Sequence, residues 1–289
     1  MENCNYYSNE ANNYRPISLT CIASKIMETI IKDTMLDHLN KSKLISRQQH
    51  GFLARHSTNT QLLESCNDWA VPLSNRKQVD IAYLDFAKAF DSVVNNKLLF
   101  KLNAYGFDSP LYSWIREFLS SRYQCAKVGN CVSSVCNVIS GIPQGTVVGP
   151  LLFIIYINDL SDVANNYQNT VTFKLVADDA KFYSCINNLK NVEIMKNCID
   201  SVLQWAEVWQ LTLSVAKCKI LVLRNVKFSN VYKLGGTPLP NVNHNTDLGV
   251  VMDNQLTFKL HINGIVCTCK TTCCTDFTVF LYKRPNTFN

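Results

Sequence analysis

Four acidic side chains stand where acids are costly. Asp85 lies within LDFAKAFD (residues 84–91), at the end of the β-forming run 79–86, and Asp91 closes the same motif. Asp178 and Asp179 end VADD (residues 176–179), after the apolar run 171–177. A carboxylate at the end of a buried strand is disfavoured unless something offsets its desolvation, and a divalent cation commonly does so. Aspartates from neighbouring strands can hold two Mg²⁺ ions roughly 3.5–4 Å apart, which stabilises the attacking and leaving oxygens of an in-line phosphoryl displacement. Between the acidic motifs lies GIPQG (residues 141–145). Gly141, Gly145 and Gly149 let backbone approach a large ligand closely, Pro143 stiffens the loop, and Gln144 offers an amide donor and acceptor.

Each feature has a plainer reading on its own. Asp-Asp suits a tight turn, Asp85 a strand end and Asp91 the N-cap of the next helix. The order of the motifs, with an apolar helix after the Pro-Gln-Gly loop and strands around Asp178-Asp179, favours the metal reading.

The elements that must position these residues follow from periodicity. Residues 22–40 repeat apolar side chains at helical spacing, and 60–73 does so less cleanly. Residues 41–59 form a polar, basic connector containing QHGFLARHST. Helices are expected at 95–105, at 110–119 with Pro110 in its first turn, and after Pro150 over LLFIIYINDL. Runs 125–128 and 132–138 around Gly129-Asn130 read as a hairpin. Strands 171–177 and 180–185 enclose Asp178-Asp179 as a turn; a long amphipathic helix (189–209), a strand (219–223) and a turn-rich β stretch (226–262) follow. From 79 to 223 this is an α+β pattern with the helices gathered on one sheet face.

Composition bounds the class. With 47% hydrophobic and 17% charged residues among 289, the chain is globular. Its longest apolar run, 147–157, is far short of the about 20 residues that span a bilayer. No secretory leader is visible, so an intracellular setting, nuclear or cytoplasmic, is expected. Thirteen cysteines, an odd and irregularly spaced set, read as free thiols. Cys267, Cys269, Cys273 and Cys274 do not follow a usual zinc spacing. Residues 1–216 carry 19 basic and 19 acidic side chains, and residues 217–289 carry 9 and 3. A basic segment beside a carboxylate cluster suits a polyanion held next to a catalytic site, or simply a solvated basic surface.

Together the motifs resemble the reverse transcriptase of LINE-like, jockey-type non-long-terminal-repeat retrotransposons. The resemblance covers residues 14–262. NYRPISLTCIASKIMETI (13–30) is similar to the opening of that polymerase domain, and QHGFLARHSTNTQLL (49–63) to its fingers motif. DFAKAFD (85–91) is similar to the first catalytic motif and SGIPQGTVVGPLLFIIYINDL (140–160) to the second. Residues 176–179, 203–223 and Asp247-Leu248-Gly249-Val250 with His261-Ile262 resemble the later palm and primer-grip motifs.

The resemblance implies a right-handed polymerase with a ferredoxin-like palm and a truncated or absent thumb. Fingers would occupy 1–80, the palm 81–225 with a fingers insertion at 110–140, a primer-grip-like β region 226–262, and a divergent tail 263–289. The activity implied is RNA-directed DNA synthesis on an RNA template and DNA primer, using deoxynucleoside triphosphates and two Mg²⁺ ions, with Mn²⁺ a possible substitute; no membrane is involved. Asp85 and Asp178 would bridge the ions across adjacent strands, aided by the Phe86 carbonyl and by Asp179. Phe90 falls at the steric-gate position, where an aromatic excludes a 2′-OH; the alternative is a core aromatic. Arg55 would grip the triphosphate, and Lys217 would donate a proton or contact phosphate; both also read as ordinary surface cations. Gly141, Pro143, Gln144 and Gly145 would meet template or nucleotide. The chain departs from the family at Val176, where an aromatic is usual, at Asn95 and at Ser214. It reads as a fragment or decayed copy. The competing expectations are a catalytically inactive nucleic-acid-binding remnant and another palm-type nucleotidyltransferase.

Overall fold

The computed structural model describes residues 17–269 apart from 121, 129, 168–169, 225–227 and 229. In chain order, α1 (Ile22–Lys41) and α2 (Thr58–Ser74) precede β1 (Gln78–Leu84), then α3 (Asn95–Ala104) and α4 (Leu111–Leu119). A ribbon follows: β2 (Arg122–Gln124), β3 (Lys127–Val128), β4 (Cys131–Val132) and β5 (Cys136–Val138). Next come α5 (Gly149–Ile157), α6 (Leu160–Asn165), β6 (Val171–Val176), β7 (Asp179–Ile186), α7 (Leu189–Trp209) and β8 (Lys219–Leu223). The small strands β9 (Lys233–Leu234), β10 (Thr237–Pro238), β11 (Asn241–Val242), β12 (His244–Asp247) and β13 (Val250–Asp253) complete the set. Residues 259–269 are helical, so the expected β stretch stops short of 262.

The central sheet has the order β11-β8-β1-β7-β6. β1 pairs antiparallel with both β7 and β8, and β6 pairs antiparallel with β7. With α3–α6 joining β1 to β6 and α7 joining β7 to β8, this is the split β-α-β-β-α-β arrangement of a ferredoxin-like sheet. β1 is buried on both faces because alternate side chains feed two cores. Ala82, Leu84, Ala180 and Phe182 join α5 and α7 in the larger core. Val79, Ile81, Tyr183 and Leu221 meet Leu62 and Trp69 of α2 in the smaller one. Between residues 79 and 223 the helices do collect on one face; α2 and the β12–β13 hairpin cover the other.

The long helices owe their limits to local chemistry. Asn188 caps α7 by accepting the Asn191 N–H at 3.0 Å, and Gln210 ends it in left-handed backbone (φ 57°). Val192, Met195, Ile199, Val202 and Ala206 form its buried stripe. α5 is buried all round, which suits its run of apolar residues beneath the sheet. Emptying that core at one position, as in Phe182→Ala, would cost about 3–5 kcal/mol.

Two local expectations need correction. Asp91 does not cap α3, whose N-cap is Val94. The turn between β6 and β7 is Ala177-Asp178, not Asp178-Asp179, because Asp179 is the first residue of β7 and pairs with Val176. Ala177 takes a positive φ of 54°, a conformation usually left to Gly or Asn. The expected hairpin at 125–138 is present as β3–β4, extended by β2 and β5, with Gly129 outside the described residues. Every described cysteine is a free thiol; Cys267 and Cys269 are exposed, and Cys273 and Cys274 lie outside the described residues.

Candidate active site

Asp85 is fixed by the backbone on its far side. Its carbonyl accepts the Ser214 N–H at 2.8 Å, and the Ala87 N–H reaches the Thr212 carbonyl at 2.8 Å. Phe86 is bridged to Leu213 between them. Strand alternation therefore turns the Phe86 carbonyl away from this segment, toward the β7 edge. The side chain of Phe86 is buried against Trp205. Asp85 thus leaves the core at a rigid point, with its carboxylate half exposed.

The β1–β7 register places Leu84 opposite Ala180, so continuing it sets Asp85 beside Asp179. Both line one cavity of about 310 Å³, with Lys217, Lys219, Lys181 and Asp247 also on its wall. Asp178 occupies the adjoining turn, half-buried, while Asp179 is exposed. Asp85 Oδ1 is buried without a hydrogen-bond partner. The Lys217 ammonium lies 3.6 Å from the same oxygen, an ion pair too long for a hydrogen bond. Among the described residues, no group of three His, Cys, Asp or Glu side chains is set to hold a metal. Asp85 and Asp179 bring carboxylates to the same cavity, the hard oxygens that a divalent cation selects. One or two protein carboxylates suffice where substrate phosphates complete the shell. The orphaned Oδ1 of Asp85 is an acceptor that such a cation would satisfy.

The Pro-Gln-Gly loop is built against the first motif. Gly141 N–H donates to the Val93 carbonyl at 2.8 Å, and Ile142 N–H to the Phe90 carbonyl at 2.9 Å. A side chain at Gly141 (φ 83°) would meet the Asp91 carbonyl oxygen at 2.8 Å, so only glycine fits. Gln144 Nε2 donates to Asp91 Oδ1 at 2.9 Å. The Pro143 carbonyl accepts from the Thr146 hydroxyl at 2.7 Å, closing the turn. From α1's side, Ser18 N–H donates to the Gln144 carbonyl at 2.7 Å, beside Gly145. The buried Glu28 accepts the Val147 and Val148 N–H groups at 2.6 and 3.2 Å, capping the open end of α5.

Other expected residues are dispersed. Phe90 is half-buried, stacks on Phe153 with ring centroids 4.2 Å apart, and is not among the residues lining the cavity. Arg55 is exposed in a turn of the fingers connector, with φ 64°. Lys217 is exposed beside Asp85. Asn95 Nδ2 donates to the Leu119 carbonyl, an interhelical tie.

Glu28, Gln49 and Asp247 fall within motifs that the resemblance marks, but neither they nor Lys181 carry an individual role legible in the sequence. Lys181 and Asp247 form a buried ion pair at 2.5 Å, which Tyr83 joins through its hydroxyl at 3.2 Å. Burial lowers the Lys181 pKa while Asp247 raises it, and burial, then Asp247, pushes the Tyr83 phenol well up. This pair docks the β12–β13 hairpin on the sheet below the acids. A lysine in a strand two residues past an Asp pair was the available signal.

A split sheet with acids at the ends of its two central strands defines a polymerase palm. Residues 7–247 match the family described as reverse transcriptase (RNA-dependent DNA polymerase), and the chain belongs to that family. It is 30% identical over 268 residues to the RNA-directed DNA polymerase from mobile element jockey of Drosophila melanogaster. The counterpart from Drosophila funebris is 28% identical. Each alignment covers 89% of this chain and 28% of the relative, so the chain spans little more than a quarter of their length. In fold it is similar to apo telomerase from Candida tropicalis truncated from its C-terminal domain. That match has a TM-score of 0.57 at 12% identity and covers 82% of this chain and 45% of the other.

Proposed function

We propose that this chain carries out RNA-templated DNA synthesis, in which a primer 3′-OH attacks the α-phosphate of a deoxynucleoside triphosphate and pyrophosphate leaves. The observation that carries the reading is Asp85 set in register beside Asp179, next to the Asp178 turn, with an unsatisfied carboxylate oxygen at a shared cavity. Asp85, Asp178 and the Phe86 carbonyl would hold two Mg²⁺ ions, or Mn²⁺ in their place, with Asp179 adding negative charge. Bound there, the ions would stabilise charge on the attacking and leaving oxygens.

The remaining residues bind and orient. Arg55 is the candidate for the triphosphate, and Lys217, 3.6 Å from Asp85, is the candidate proton donor or phosphate contact there. Phe90 is the candidate gate against a 2′-OH. Gly141, Pro143, Gln144 and Gly145 present the loop to template or nucleotide, with Asp91 fixing the Gln144 amide. Residues 1–80 would act as fingers, 81–225 as palm with the 110–140 insertion, 226–262 as primer grip, and 263–289 as tail. A second structure of telomerase from Candida tropicalis, similar in fold at a TM-score of 0.54, contains a TWJ fragment of telomeric RNA. Membership of the RNA-dependent DNA polymerase family supports an RNA template here. No described helix is long and apolar enough to cross a membrane. The inactive-remnant reading is not favoured.

Primer extension on an RNA template with purified chain and Mg²⁺ tests the proposal. Addition of deoxynucleotides that stops on chelation is the expected result. Salt-sensitive binding of primer–template with no addition in Mg²⁺ or Mn²⁺ would overturn it.

A further inference from the structure

We infer that Gln49 is a positioning residue for the catalytic turn: its buried amide holds Ala177 in left-handed backbone and so sets where Asp178 points. The inference rests on the role proposed for Asp178 and adds the residue that orients it.

The turn has a problem that its own sequence does not solve. Ala177 has φ 54°, where a Cβ is unfavourable, and it is 6% exposed. A buried N–H at that position needs a partner, and the two-residue turn supplies none from the β6–β7 ladder. Gln49 supplies it. Its Oε1 accepts the Ala177 N–H at 3.1 Å and the Gly51 N–H at 2.7 Å, and the residue is wholly buried.

The backbone around Gln49 is itself locked to β6. His50 N–H donates to the Leu175 carbonyl at 2.8 Å, and Leu175 N–H donates to the Gln48 carbonyl at 2.9 Å. Gln49 therefore lies as a parallel bridge beside Leu175, just before the turn. Gly51 completes the fit, because a Cβ there would sit 2.5 Å from the Ala177 nitrogen. Only the carbonyl end of the amide is engaged; Nε2 is buried without a partner. The fingers connector thus reaches across to the palm and clamps the residue before the catalytic aspartate. A clamp of this kind matters because a small misplacement of a reacting group lowers rate far more than it lowers stability.

The test pairs kinetics with amide exchange. In the wild-type chain the Ala177 amide should exchange slowly. Gln49→Met keeps length but removes the acceptor, so exchange at 177 should accelerate more than at Phe173 or Phe182. Single-turnover nucleotide addition should fall by about tenfold or more, the scale of a lost restraint on a strained residue, with nucleotide KM and primer–template affinity unchanged. Gln49→Glu, which keeps an acceptor oxygen and which burial would hold as the neutral acid, should recover part of the rate. So should Gln49→Met combined with Ala177→Gly, because glycine takes this φ without help. An active wild type whose Gln49→Met variant keeps its rate would overturn the inference alone. So would a loss that neither Gln49→Glu nor the added Ala177→Gly restores, since that marks general damage to the fold. A wild type that adds no nucleotide overturns the functional reading itself, and exchange at Ala177 would then show that the contact is structural only.

Discussion

Gln144 and Asp91 are joined side chain to side chain, the amide Nε2 donating to the carboxylate at 2.9 Å across 53 residues of chain. The loop of the second motif is therefore held by the last residue of the first. With one N–H committed to Asp91, the amide oxygen of Gln144 has a fixed direction. Asp91→Ala should free it and raise the deoxynucleotide KM by about tenfold, the worth of a charge-assisted hydrogen bond. Asp91→Asn should lose less, since it retains an acceptor. Steady-state extension with varied nucleotide concentration measures both.

The Lys181–Asp247 pair should be a stability determinant. Both side chains are nearly inaccessible, so Asp247→Ala strands a buried ammonium and should cost about 3–5 kcal/mol in urea unfolding. Replacing both partners with apolar residues of similar volume should recover much of that, because no unpaired charge remains.

Lys101 should make stability rise in mild alkali. Its ammonium donates to the Tyr156 carbonyl, pairs with Asp159 at 2.6 Å and lies over the Trp209 ring. Burial pulls its pKa down to about 8, against the raising effect of Asp159. The unfolded lysine titrates near about 10.4, so between these values the unfolded chain keeps a proton that the folded chain has released. Unfolding then takes up a proton, and stability should increase by on the order of 3 kcal/mol across that window. The gain is complete above the unfolded pKa and is lost as pH falls through the folded one. Urea midpoints between about pH 7.5 and 10 should climb in wild type more steeply than in Lys101→Met.

Phe90 rests on Phe153 with ring planes 20° apart, so its position is set by the core of α5. If that support aims it at the sugar, Phe90→Val in an active chain should incorporate ribonucleotides. Unchanged discrimination would reduce Phe90 to packing.

What was legible in the sequence has a physical pattern. An apolar run that ends in an acid marks a strand end, and this located Asp85 and Asp178 without any structure. The alternation of elements from residues 79 to 223 is enough for an α+β sheet with its helices on one face; the ferredoxin-like palm comes only from the resemblance. The contacts that hold the site were not legible, because their partners lie far apart: Glu28 and Val147 are separated by 119 residues, and Gln49 and Ala177 by 128. Turn propensity put Asp178-Asp179 at the bend, yet the bend is Ala177-Asp178. A buried amide from the fingers stabilises the left-handed alanine there, and no local rule contains that amide. The motif alone sets Gln144 toward template or nucleotide, and only the folded loop reveals Asp91 holding its amide.

Asp85 is assigned to chemistry and not to binding. Single-turnover addition of one deoxynucleotide to a primer on an RNA template, beside the primer–template affinity, compares wild type with Asp85→Asn most directly. Wild type should add the nucleotide in Mg²⁺, and Asp85→Asn should lose addition by several orders of magnitude with affinity intact. An Asp85→Asn chain that extends the primer at the wild-type rate would contradict that assignment.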